Sequence, residues 1–108
     1  MFYKKHGSGF KDALDGVSFK TLVFGDKTLL AEFRLDHGST VPRHSHPHEQ
    51  TGYLVSGRMR FSIEGKILEV GPGDAWNIGG NIEHGVEVLE DSLVIEVFSP
   101  RREDYLPK

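Results

Sequence analysis

Four histidines carry the chemistry this chain advertises: His44, His46 and His48 lie within five positions, and His84 stands nearly forty residues later. Neutral imidazole is the commonest protein metal ligand, and side chains two apart on an extended strand share a face, so His44 and His46 can hold one ion together. A solvated loop is the competing reading of the early cluster, since Pro47 sits inside it. His84 follows a Gly79-Gly80-Asn81 loop at the start of a β-like run, the placement that would bring a distant strand onto the same ion. A strand-borne metal site is therefore expected.

A second chemical feature lies near the C-terminus. Leu93, Ile95 and Val97 alternate with Val94, Glu96 and Phe98, so Glu96 has apolar neighbours whichever row faces inward. A carboxyl group there either moves protons or makes a structural ion pair, with Arg58, Arg60 or Arg102 as partner. Trp76, Tyr53 and Phe98 are candidate pocket aromatics, although strand aromatics are more often plain core. Arg43 should point away from His44 on a regular strand.

The elements that would position these residues are strands. Apolar alternation broken by glycine-centred turns gives Val17–Phe24, Thr28–Leu35, Val41–His46, Thr51–Val55, Arg58–Ile63, Lys66–Val70, Ala75–Ile78, His84–Leu89 and Ser92–Phe98, the pattern of an all-β sandwich or barrel. Glu64-Gly65 is the clearest hairpin turn. Phe10–Leu14 could form one helical turn but is flanked by Gly7, Gly9 and Gly16. An irregular N-terminal arm over residues 1–16 is expected, followed by a barrel over 17–99 and a short tail over 100–108 against it.

Composition narrows the function. The 108 residues fit one domain with a modest core. Thirteen Lys and Arg against sixteen Asp and Glu, a formal charge of −3 with no basic block, argue against nucleic acid or an anionic membrane as partner. The absence of cysteine excludes disulfides, thiolate metal sites and thiol nucleophiles. With no apolar leader and no apolar run near the roughly 20 residues of a membrane span, a cytoplasmic protein is expected.

The run Gly38-Ser39-Thr40-Val41-Pro42-Arg43-His44-Ser45-His46-Pro47-His48-Glu49-Gln50, continuing to Gly57, resembles the first histidine motif of the cupins. The family pattern is a Gly, five residues, His-x-His, three or four residues, Glu or Gln, six residues and a Gly, and Gly38, His44, His46, Gln50 and Gly57 meet it. The second cupin motif is met in part: Gly73 and His84 fit, while Gly79, Asn81 and Val88 stand at its proline, glycine and asparagine.

The resemblance implies an antiparallel jelly roll, the double-stranded β-helix or cupin barrel. It further implies one divalent ion (nickel, zinc, iron or manganese) held by His44, His46, Gln50 and His84, with His48 turned away. Three imidazoles and a carboxamide leave the charge of such an ion uncompensated, which favours a small anionic ligand. Together with Glu96-Val97-Phe98-Ser99-Pro100-Arg101-Arg102, the histidine run is also similar to KdgF-type cupins of pectin and alginate breakdown. Those proteins open the ring of 4,5-unsaturated uronates. By that similarity Glu96 is the proton-transfer residue, where the family has an aspartate, and Arg102 binds the substrate carboxylate; an exposed ion pair is the competing role for Arg102. A homodimer is implied as well. A metal-dependent dioxygenase and a non-catalytic small-molecule-binding cupin are the alternative functions.

Overall fold

The computed structural model describes residues 1–107, and nearly every element in it is a β-strand. In chain order these are β1 (Lys11–Leu14), β2 (Val17–Phe24), β3 (Leu29–Leu35), β4 (Thr40–His44), β5 (Glu49–Ile63), β6 (Lys66–Val70), β7 (Ala75–Ile78) and β8 (His84–Ser99), followed by a 3₁₀ turn at Glu103–Tyr105. All pairings are antiparallel.

Two long strands make the barrel. The first part of β5 and the second part of β8 pair together, with β7 on one side and β3, β2 and β1 on the other. The second part of β5 and the first part of β8 also pair, flanked by β6 and β4. Each long strand thus crosses from one layer to the other, and their register shifts between Leu54 and Met59 mark the crossing. The expected breaks at Ser56-Gly57 and between Leu89 and Ser92 are not turns but irregularities within continuous strands. At Gly57, φ is +101° and a Cβ would collide with the Asp91 carbonyl and Ser92. A glycine at a bulge bends a strand without ending it.

The Glu64-Gly65 turn forms as expected: both residues have positive φ, 49° and 79°, which suits a two-residue hairpin to the twist of its strands. The arm differs from expectation. Lys11–Leu14 is neither helical nor irregular but an exposed edge strand on β2. The segment ahead of it is tethered by the buried Lys20, whose Nζ donates to the His6 carbonyl at 2.6 Å and the Ser8 carbonyl at 2.8 Å. Two aromatic rings, Tyr3 and Phe10, lie within 5.0 Å of that ammonium.

The inner faces meet in two apolar clusters. The larger contains Val17, Leu35, Leu54, Met59, Phe61, Ile78, Val88 and Val94. The smaller, Leu29, Ala31 and Phe98, packs against Phe33, Tyr105 and Leu106 and so fastens the C-terminal tail to the barrel. In the last strand Val94, Glu96 and Phe98 are the buried row. Glu96 therefore points inward.

Candidate metal centre

Strand register brings the distant histidines together. His44 at the end of β4 and His84 at the start of β8 are paired residues, their ring centroids 4.4 Å apart. His46 lies in the loop between β4 and β5, with its ring 5.6 Å from His44 and 5.1 Å from His84. One nitrogen from each of the three lies within 4.8 Å of the others.

The backbone sets which nitrogen faces the common point. His44 Nδ1 lies 2.9 Å from the Pro42 carbonyl, His46 Nδ1 2.9 Å from the His48 carbonyl and His84 Nδ1 2.8 Å from the Ile82 carbonyl. A carbonyl can only accept, so each Nδ1 carries the proton and each Nε2 keeps its lone pair. Among the described residues, His46 Nε2 is buried with no hydrogen-bond partner. An unpaired lone pair beside two others is costly unless a cation fills the gap. These side chains could bind a metal ion.

The electrostatics agree. Burial, then the charge of Arg102 and the neighbouring His84, lower the His46 pKa below its ordinary value. Burial likewise lowers that of His84, helped by His44 and Arg102. Both rings remain neutral, the form that ligates, further into acid than a free imidazole would.

Gln50, at the start of β5, is 7% exposed. Its carboxamide faces His46, and its Nε2 donates to Glu96 Oε1 at 3.3 Å. With the nitrogen engaged on Glu96, the amide oxygen is the atom left for a cation or a ligand. His48 is half-buried with its ring 5.7 Å from His46, but it is not among the three that converge.

Glu96 has no arginine partner, contrary to the ion pair considered for it. Arg58 pairs with Glu69 and Glu90, Arg60 with Glu87, and Arg102 with Asp104. Instead Trp76 Nε1 and Gln50 Nε2 both donate to Glu96 Oε1, at 3.1 and 3.3 Å. Its other oxygen, Oε2, is buried and has no partner among the described residues. Burial pushes the carboxyl pKa up to about 8 against the pull of those two hydrogen bonds.

Arg102 holds Asp104 through two contacts, Nε to Oδ1 at 3.2 Å and Nη2 to Oδ2 at 2.8 Å. Its guanidinium lies 4.0 Å from the Tyr105 ring centroid and 5.1 Å from that of Phe98.

These groups border a cavity of about 390 Å³, within the range of small-molecule sites. His44, His46, His84, Gln50, Glu96 and Arg102 supply its polar side, while Val17, Phe33, Leu35, Met59, Phe61, Val86 and Val94 supply apolar wall. Phe98 lines it, as considered from the sequence, but Trp76 and Tyr53 do not. Trp76 instead holds Glu96 from behind, over Gly52, a role not read from the sequence. An isolated glycine inside a strand was the available signal, because it often marks close approach of another group.

The family model "Cupin domain" matches residues 31–99. This chain belongs to the cupin family. It is 33% identical over 94 residues to the pectin degradation protein KdgF of Dickeya dadantii, covering 85% of this chain and 86% of that protein. Among solved structures, KdgF from Halomonas sp. superposes with a TM-score of 0.92 at 34% identity, covering 98% of both chains. An RmlC-like cupin from Shewanella frigidimarina gives 0.86 at 26% identity, covering 98% of this chain and all of that one. The jelly-roll cupin barrel is thus the fold of this chain, and its likeness to KdgF extends over nearly the whole length.

Proposed function

We propose that this cupin holds one divalent ion at His44, His46, Gln50 and His84 and opens the ring of a small 4,5-unsaturated uronate, giving the linear keto-deoxyuronate. Supporting this are the convergence of the three imidazoles, the polar side of the cavity and the likeness to KdgF proteins over most of the chain. A bound divalent ion would supply Lewis acidity, polarising a substrate oxygen beside it. The observation that carries the reading is Glu96, a buried carboxyl group bordering the cavity whose Oε2 has no partner among the described residues.

The reaction is an isomerisation, so its atoms balance within the substrate. A proton leaves the hemiacetal hydroxyl as the C1 carbonyl forms and the C1–ring oxygen bond breaks, the ring oxygen keeps that electron pair as an enolate, and a proton arrives at C4 as the C5 carbonyl forms. Glu96 is suited to carrying a proton because burial holds its carboxyl near neutrality, ready to give or take one. Arg102 borders the cavity with its guanidinium 4.0 Å from the Tyr105 centroid; Asp104 takes Nε and one Nη2 proton, leaving Nη1 to donate to a substrate carboxylate. The apolar wall, with Val94 and Phe61, can cover the flat face of the alkene and keep bulk water from the proton.

The test is conversion of unsaturated galacturonate followed by proton NMR. Metal-loaded protein is expected to accelerate it, and Glu96→Gln to keep its metal while losing about 100-fold or more in rate. A fully active Glu96→Gln protein would remove Glu96 from the mechanism.

A further inference from the structure

Three adjacent strands place Trp76, Gly52 and Glu96 in one row. Gly52 on β5 is the register partner of Trp76 on β7 and of Glu96 on β8. The indole crosses the space above Gly52, where Nε1 donates to Glu96 Oε1 at 3.1 Å. A Cβ on residue 52 would collide with Trp76 Nε1 and Cε2 and stand 2.6 Å from Glu96 Oε2. Because Gly52 does not have a positive φ, the glycine is there for room and not for backbone freedom. On its other side the indole packs against Phe61, ring centroids 4.7 Å apart.

We propose that Trp76 is a positioning residue for Glu96, acting through the gap over Gly52. It commits Oε1 to a fixed hydrogen bond and so fixes the plane of a carboxyl group that borders the cavity. The proposal rests on the reading of Glu96 as the proton carrier. Trp76 does not line the cavity and touches no substrate, so its effect passes through the carboxyl group. Without the indole donor, only the longer contact from Gln50 would hold Oε1, and the carboxyl could rotate about its last bond. Gln50 would also have to serve the metal site while orienting Glu96 alone.

Trp76 is the chain's single tryptophan, so one indole N–H signal reports this contact in zinc-loaded protein. Glu96→Ala is expected to move that signal upfield and speed its exchange with solvent. An indole signal unmoved by Glu96→Ala would overturn the proposal whether or not the protein turns over uronate. Trp76→Phe, which keeps an aromatic ring on Phe61 but deletes the donor, is expected to lower kcat about tenfold, with KM and zinc content unchanged. A wild-type kcat in Trp76→Phe would overturn the proposal too. Absence of turnover in the wild type itself would instead defeat the ring-opening reading, leaving the indole signal to decide the contact.

Discussion

Three carbonyl oxygens, of Pro42, His48 and Ile82, settle the tautomer of the three converging histidines. Burial lowers the proton affinity of His46 and His84, so metal should stay bound below the ordinary histidine range and leave once those rings protonate. Metal content measured after dialysis between pH 7.5 and 4.5 is expected to fall in the acid half of that range; unchanged content would count against imidazole ligation. Glu96 acts in the opposite sense on the metal-free protein. Its folded pKa, about 8, lies above the ordinary 4.5, so its contribution to stability is full below pH 4.5 and is lost as pH rises through 8. Metal-free wild type should therefore lose a few kcal/mol between pH 4.5 and pH 8 that Glu96→Gln does not lose, as read by urea unfolding at each pH. At this scale the sequence was most legible where local spacing decides: His44, His46 and Gln50 lie on one short stretch. Glu96 was visible as a carboxyl among apolar residues, but its partners were not, because Trp76 and Gln50 reach it only through strand register.

The strands explain what a linear pattern conceals. Ser56-Gly57 looks like a turn, and only contact with Asp91 and Ser92 on β8 makes it a bulge in a long strand. Lys11–Leu14 has no apolar alternation and every residue is exposed; its strand geometry comes from pairing with β2, while Lys20 tethers His6 and Ser8 ahead of it. Lys20→Met is expected to cost about 2 kcal/mol, the scale of hydrogen bonds made by a charged donor. Limited proteolysis should then cut within residues 1–10 first, and an uncut arm would show that other contacts hold it. Gly52→Ala is expected to lose about 1–3 kcal/mol by crowding Trp76 and Glu96, measured by thermal unfolding. Neither side chain has a neighbour in sequence that announces these contacts.

Across the whole molecule, the barrel keeps stability and chemistry partly apart. Leu54, fully buried in the larger cluster, is not a wall of the cavity, so Leu54→Ala should cost about 3 kcal/mol and leave metal content intact. The histidines, by contrast, lie where β4 and β8 meet, and their convergence joins segments some forty positions apart. The net charge of −3 is spread over the chain, whereas Arg102 and a cation held by neutral ligands would make the cavity locally positive, which suits an acidic sugar. The proposed ring opening depends on that cation. Equilibrium dialysis of the protein against zinc or nickel, followed by elemental analysis, tests it directly. About one ion per wild-type chain is expected, with little retained by His46→Ala or His84→Ala; wild type without metal, or undiminished metal in His84→Ala, would contradict it.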